Sequence, residues 1–168
     1  MKYPLFFLAA LLVGSTAAHA QKISSTQIPA TVKAAFKARF PTVKTATWEK
    51  NTQQSNQEYD YETHNDFWAR DAFLTQDVYE ADFKLNGQKT SVVITPSGLM
   101  QEIEIILNDR QLPPAVRATL TRDFNACQVQ EIATVTKADG STLYEAELAQ
   151  AGQKQEILFT ADGQQILP

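Results

Sequence analysis

The sequence predicts an α+β fold made of two tandem units, each a helix followed by antiparallel strands, with the helices packed on one face of the sheet. Three observations predict it. Tyr79-Glu-Ala-Asp-Phe, Asn86-Gly87-Gln-Lys, Val92-Val-Ile-Thr and Ser97-Gly98 return as Tyr144-Glu-Ala-Glu-Leu, Ala151-Gly152-Gln-Lys, Ile157-Leu-Phe-Thr and Asp162-Gly163, at a constant offset of 65. Upstream, Ile28-Pro29, Val32, Phe36 and Phe40 return as Leu112-Pro113, Val116, Leu120 and Phe124, at a constant offset of 84. Within each copy the spacing of apolar residues then changes from four to two. Self-similarity of this kind means one supersecondary unit used twice.

Residues 1–20 stand outside this pattern. Lys2 gives a basic start, Leu5 to Val13 is an apolar run too short to span a bilayer, and Ala18-His19-Ala20 supplies the small residues of a cleavage site. The mature chain is expected to begin at Gln21. Because Gln21 rather than cysteine follows the cleavage point, no lipoprotein anchor is expected. No other stretch approaches about 20 apolar residues. The expected product is therefore exported, periplasmic or secreted, with no membrane insertion once the leader is cut.

The first unit is expected over residues 21–108 and the second over 109–168. Each opens with a helix. Pro29 and Pro113 sit at helix starts, where the missing N–H would have no intrahelical partner. The apolar residues behind them form one stripe, while Lys33, Lys37, Arg117 and Thr121 fall on another side. Pro41 ends the first helix and the second fades at Asn125. A first strand follows, around Thr45 to Lys50 and Gln130 to Thr136.

A three-strand meander completes each unit. Tyr79, Ala81, Phe83 and Leu85 alternate with Glu80, Asp82 and Lys84, and Tyr144, Ala146 and Leu148 alternate with Glu145 and Glu147. That is a strand with one face on a core and one in water. Asn86-Gly87 is a strong hairpin signal and Ala151-Gly152 takes the same place less ideally. Ser97-Gly98 and Asp162-Gly163 turn the chain again into Met100 to Leu107 and Gln165 to Leu167. A helix with one apolar stripe and a sheet with one apolar face pack together, so both helices belong on one side. The two units make either one long sheet or two abutting ones, and the other face is left free to bind.

Composition narrows the functions. The formal charge of the 168-residue chain is −4, and losing Lys2 with the leader makes it more negative. An acidic exported chain with no basic run is a poor ligand for nucleic acid. Cys127 is the only cysteine, so stability comes from packing rather than a disulfide, and a buried small hydrophobe is the simplest reading of it.

The repeat is interrupted once. The two offsets differ by 19, so the first copy carries 19 more residues between helix and meander, within Asn51 to Asp77. Asn51-Thr-Gln-Gln-Ser-Asn-Gln57 reads as polar turn or loop. Asp66-Phe-Trp-Ala-Arg-Asp-Ala-Phe-Leu74 is aromatic. Glu58, Asp60, Glu62, Asp66, Asp71 and Asp77 against Arg70 make the segment strongly acidic. Its aromatics argue against disorder. They form either an extra hairpin or short helix folded onto the first sheet, or a recognition surface, since Trp, Tyr and Arg dominate binding hot spots. The binding candidates are Trp48, Tyr59, Tyr61, Trp68 and Arg70, with Trp48 equally readable as core.

If Glu58 to Asp66 is a strand, Asp60, Glu62, His64 and Asp66 share a face, where a divalent cation could sit. A solvated strand face produces the same alternation, and no second His, Cys pair or calcium-loop pattern supports a site, so no metal or other cofactor is expected. No catalytic residue is assigned. His64 is the only histidine after the leader, and no Gly-x-Ser-x-Gly or His-Glu-x-x-His occurs.

Ile28-Pro-Ala-Thr-Val-Lys-Ala-Ala-Phe-Lys-Ala-Arg-Phe-Pro41, the Trp48-Glu-Lys strand, Tyr79-Glu-Ala-Asp-Phe-Lys-Leu-Asn-Gly and Thr95-Pro-Ser-Gly98 together resemble the PepSY-like domain, also called beta-lactamase-inhibitor-like. The resemblance covers nearly the whole mature chain in two copies. It implies an exported bacterial protein with a tandem helix-plus-sheet fold similar to that of the beta-lactamase inhibitory protein. The expected function is non-enzymatic recognition of an envelope or secreted protein or peptide, through the open sheet face and the acidic aromatic insertion. The alternative is a small-ligand or divalent-cation-binding envelope protein. Fold alone does not carry function.

Overall fold

In the computed structural model, which describes residues 21–55 and 74–166, the strands form one antiparallel sheet and follow one another across it in chain order. The elements are β1 (Gln21–Lys22), α1 (Ala30–Arg39), β2 (Thr47–Ser55), β3 (Leu74–Leu85), β4 (Gln88–Ile94) and β5 (Met100–Ile106). There follow α2 (Pro114–Asp123), β6 (Gln128–Lys137), β7 (Thr142–Gln150), β8 (Gln153–Phe159) and β9 (Gln165–Ile166). The architecture is α+β, mostly sheet with two α-helices among the described residues. The choice between one sheet and two is settled by β5 and β6, which pair from Glu102↔Lys137 to Ile106↔Ala133.

Each helix is entered the same way. A single 3-10 turn precedes it, at Ser25–Gln27 and Asp109–Gln111, and the turn is closed by a residue three positions on. The Ser24 N–H donates to Gln27 Oε1 at 2.8 Å, and the Asn108 N–H donates to Gln111 Oε1 at 3.0 Å. Pro29 and Pro113 then take the N-cap positions. This is capping-box chemistry, in which a polar side chain satisfies a backbone donor that the helix cannot. Helix α1 buries Val32 and Phe36, and α2 buries Val116, Thr119 and Leu120.

The register puts both apolar strand faces on the same side of the sheet. Ala81 pairs with Val92, Val92 with Ile103 and Ile103 with Thr136. Ile132, four residues from Thr136 on β6, pairs with Ala146, and Ala146 with Ile157. Antiparallel partners share a face and alternate residues return to it, so these rows face one way. On that side Ile28, Val32, Phe36 and Phe40 pack with Tyr79, Ala81, Phe83, Val92 and Ile94. Leu112, Val116 and Leu120 pack with Ile132, Ala146, Leu148, Ile157 and Phe159.

The hairpins follow their turn chemistry. Asn86 and Gly87 have φ of 51° and 86°, and Ala151 and Gly152 have 50° and 82°, both positive as a type I′ turn requires. The turns that follow β4 and β8 are each pinned to a helix. Thr31 Oγ1 donates to the Pro96 carbonyl at 2.6 Å, and Thr119 Oγ1 donates to the Gly163 carbonyl at 2.9 Å.

Two sequence expectations are corrected, and one strand is added. Asn51 to Ser55 is not turn or loop: β2 runs through it, paired from Asn51↔Val78 to Ser55↔Leu74, so these residues lengthen a hairpin. An antiparallel ladder is held by backbone hydrogen bonds and needs no apolar face, so a polar run leaves no period to detect. Cys127 is half-buried at the edge of the second cluster rather than buried. Strand β1 was not foreseen, because two polar residues carry no pattern; it pairs with Glu49 and Lys50 of β2.

An acidic open face as the candidate functional site

Carboxylates crowd the face of the sheet turned away from the helices. The same alternation that sends Tyr79, Ala81 and Phe83 to the core sends Glu80 and Asp82 the other way, and it does so again for Glu102 and Glu104 on β5 and for Glu145 and Glu147 on β7. Register then brings them together across strands. Glu131, Glu147 and Glu156 stand side by side on β6, β7 and β8. Like charges directly opposite in a sheet are destabilising, so a row of three is a local cost that folding alone does not require.

Glu104, Glu131, Glu145, Glu147 and Glu156 surround Ala133 in a depression of about 220 Å³. Its surroundings are partly apolar, since Ala133 and its neighbour on the same face, Val135, are 2% and 1% exposed. Burial is the main reason that the Glu104 carboxyl is pushed up to about 7, with repulsion from Glu145, Glu131, Glu102 and Glu80 added to it. Burial also raises Glu145, with Glu156 and Glu102 adding to it and Lys137 opposing. Glu80 is raised for the same first reason, although Ser91 Oγ donates to its Oε1 at 3.1 Å and Asn51 Nδ2 to its Oε2 at 3.0 Å.

The cations on this face offset only part of the repulsion. Lys137 pairs with Glu102 and Lys154 with Glu147, while Lys89 lies 3.7 Å from Glu131. Lys89 and Lys154 are well exposed, so their pairs are worth little in water, while Lys137 is half-buried beside Glu102. Among the described residues no group of His, Cys, Asp and Glu is arranged to hold a metal ion. Such a surface gathers carboxylates around a covered Ala133, where burial and mutual repulsion hold several of them above the usual carboxylate range.

Trp48 lies elsewhere. It pairs with Ala81, so it points to the helix side, where its ring stands edge-on to Phe36 with centroids 5.1 Å apart. Tyr59, Tyr61, Trp68 and Arg70, and the cation candidates Asp60, Glu62, His64 and Asp66, lie outside the described residues. The glutamates of the depression were absent from the sequence candidates. Their only signal was Glu-x-Glu alternation at 102–104 and 145–147, and nothing local says which strands are neighbours.

Both helices thus pack on one face of a single antiparallel sheet, and the carboxylates crowd the other. The chain belongs to the family provisionally described as beta-lactamase-inhibitor-like, PepSY-like, whose model matches residues 15–70 and again 68–166. No curated protein sequence matches it. Among solved structures, a DUF2874 family protein from Bacteroides uniformis ATCC 8492 is similar, with 23% identity and a TM-score of 0.62 over 83% of this chain and 86% of that one. A BLIP-like protein from Bacteroides fragilis NCTC 9343 shows 20% identity and a TM-score of 0.58, over 83% of this chain and 84% of that one. A protein from Bacteroides eggerthii DSM 20697, provisionally named as periplasmic, shows 22% identity and a TM-score of 0.62 over 83% and 86%. At these identities the likeness is one of fold. No helix among the described residues is long and apolar enough to cross a membrane.

Proposed function

We propose that the protein is an exported, non-enzymatic binding module that holds a basic segment of a protein or peptide partner on the open face of its sheet. In this reading the chain is two copies of one helix-plus-sheet unit, 21–108 and 109–168, joined edge to edge so that two small faces make one large one. The observation that carries it is the crowding of Glu104 with Glu131, Glu145, Glu147 and Glu156 around Ala133. A lysine or arginine brought there by a partner relieves repulsion that the protein's own lysines leave in place, so binding gains both attraction and relief. The inhibitor-like name of the family supports a protein as the partner. The insertion at 51–77, with Tyr59, Tyr61, Trp68 and Arg70, extends the same recognition surface in this reading, while Trp48 serves the core.

The test uses the immobilised protein and an envelope extract, beside a double variant with Glu104→Lys and Glu145→Lys. A partner held by wild type, released by salt and lost on the variant is the expected result. An identical set of captured proteins on both baits would move the interface off this face.

A further inference from the structure

The two units fill one equivalent place differently. Trp48 and Ile132 are structural counterparts: each pairs with the alanine of a Tyr-Glu-Ala strand, Ala81 or Ala146. The carbonyl of each accepts from the residue that enters its unit, Ile23 N–H at 3.0 Å and Leu107 N–H at 2.8 Å. In the first unit the indole of Trp48 closes the gap between α1 and β2, and the space left there is about 250 Å³. In the second unit Ile132 is too small to do so, and Leu120 stands where the first unit has Phe36. The groove between α2 and β6 is about 660 Å³.

The difference is not a general loosening of the second core. Phe159 replaces Ile94 deeper in that unit, is fully buried and meets Phe124 edge-on at 6.1 Å. What stays open is the rim: Phe124 is half-buried where its counterpart Phe40 is 3% exposed, and Val129 is 41% exposed. An apolar groove of this size with a firm floor has the character of a ligand site. Its chemistry is shown by the first unit, which places an aromatic ring in the same position.

Glu131 belongs to both sites. It lines the groove on its β6 side, opposite Arg117 on α2, and also lines the acidic depression of the open face, so the negative charge lies at the β6 rim. The occupant therefore needs an aromatic ring for the groove and a positive charge beside it for Glu131 and its neighbours. We infer that the groove between α2 and β6 receives an aromatic side chain of the partner, tryptophan above all, flanked in that partner's sequence by lysine or arginine. The ring lies against Leu120, Phe124 and Ile132 as Trp48 lies against Phe36. This rests on the open-face reading for its charged half and on the groove alone for its aromatic half.

Three capped tripeptides, Lys-Trp-Lys, Lys-Leu-Lys and Gly-Trp-Gly, separate the two halves, with methyl NMR of Leu120, Val129 and Ile132 in the purified protein as the readout. Lys-Trp-Lys should shift these methyls saturably and bind about tenfold more tightly than Lys-Leu-Lys, because an indole buries more apolar area than an isobutyl group. Ile132→Trp, which fills the groove from within, should abolish the shifts. Val129→Asp should do the same from an exposed rim position that the core does not depend on. Equal binding of Lys-Leu-Lys, or shifts confined to the open face, would overturn the aromatic site and leave the open-face reading intact. Shifts with Gly-Trp-Gly as strong as with Lys-Trp-Lys would uphold the groove and overturn the charged half.

Discussion

Gly163 lies so close to Ala115 that a β-carbon added to it would stand 2.7 Å from the Ala115 carbonyl oxygen. The turn carrying Gly163 is thus packed directly on the backbone of α2, where Thr119 also holds it through the Gly163 carbonyl. Its φ of 82° adds a second reason for glycine. Gly163→Ala should therefore cost about 2 kcal/mol or more, combining positive-φ strain with overpacking against backbone that cannot move aside. Gly140→Ala, with φ of 84° and nothing within 4 Å, should cost only about 1 kcal/mol. Urea midpoints of the two variants compare the effects, and equal shifts would mean that the turn is not pressed on the helix.

The helix stripes make a second test. Phe36 and Leu120 are 9% and 7% exposed, whereas Lys37 is exposed. Phe36→Ala and Leu120→Ala should each cost about 2 to 5 kcal/mol, and Lys37→Ala within about 0.5 kcal/mol. Denaturant unfolding reads all three. A small effect at either core position would show that its helix contributes little to the cluster it packs in.

Glu104 sets a pH dependence. Its carboxyl is held at about 7 in the folded chain against an ordinary 4.5. The folded state thus binds this proton more tightly than the unfolded state does. The associated stability is fully present below pH 4.5 and is lost as the pH rises through 7. Glu104 faces Glu145, Glu131, Glu102 and Glu80, with Lys137 and Lys89 paired to Glu102 and Glu131. Glu104→Gln, neutral at every pH, should be more stable than wild type at pH 8 and similar to it at pH 4.5. Urea melts at pH 4.5, 6 and 8 measure this, and parallel wild-type and variant curves would place the titration elsewhere.

The lengthened hairpin of β2 and β3 allows a clean excision. Ser55 and Leu74 are direct partners, so an Asn-Gly turn can join them in register. Replacing residues 56–73 in this way should change stability by less than about 1 kcal/mol, because shortening a connection alters closure entropy little. If Tyr59, Tyr61, Trp68 and Arg70 recognise the partner, its binding should fall at the same time. A chain that no longer unfolds cooperatively would assign those aromatics to the core instead.

Much of the architecture was legible because its causes are local. The stripe Ile28, Val32, Phe36, Phe40 needs only the helical period, the alternation from Tyr79 to Leu85 needs only the pleat, and Asn86-Gly87 needs only the φ preference of two residues. The Ser24 and Gln27 capping pair, and Asn108 with Gln111, have causes equally local, each within four residues of chain. The candidate site was not legible in this way. Glu131, Glu147 and Glu156 lie far enough apart in sequence that only pairing between strands makes them neighbours, and the repulsion that distinguishes them exists only after pairing.

By itself, then, the sequence determined the helices, most of the strands and the tight turns, since each follows from interactions within a few residues of chain. Tertiary structure decided what those elements became. It joined β5 to β6 into one sheet, turned Trp48 toward Phe36 instead of the open face, and continued β2 through a polar run to Ser55. It also left a groove of about 660 Å³ between α2 and β6, beside Ile132. Register and packing are set by which surfaces meet, and a residue's own neighbours in sequence carry no record of that.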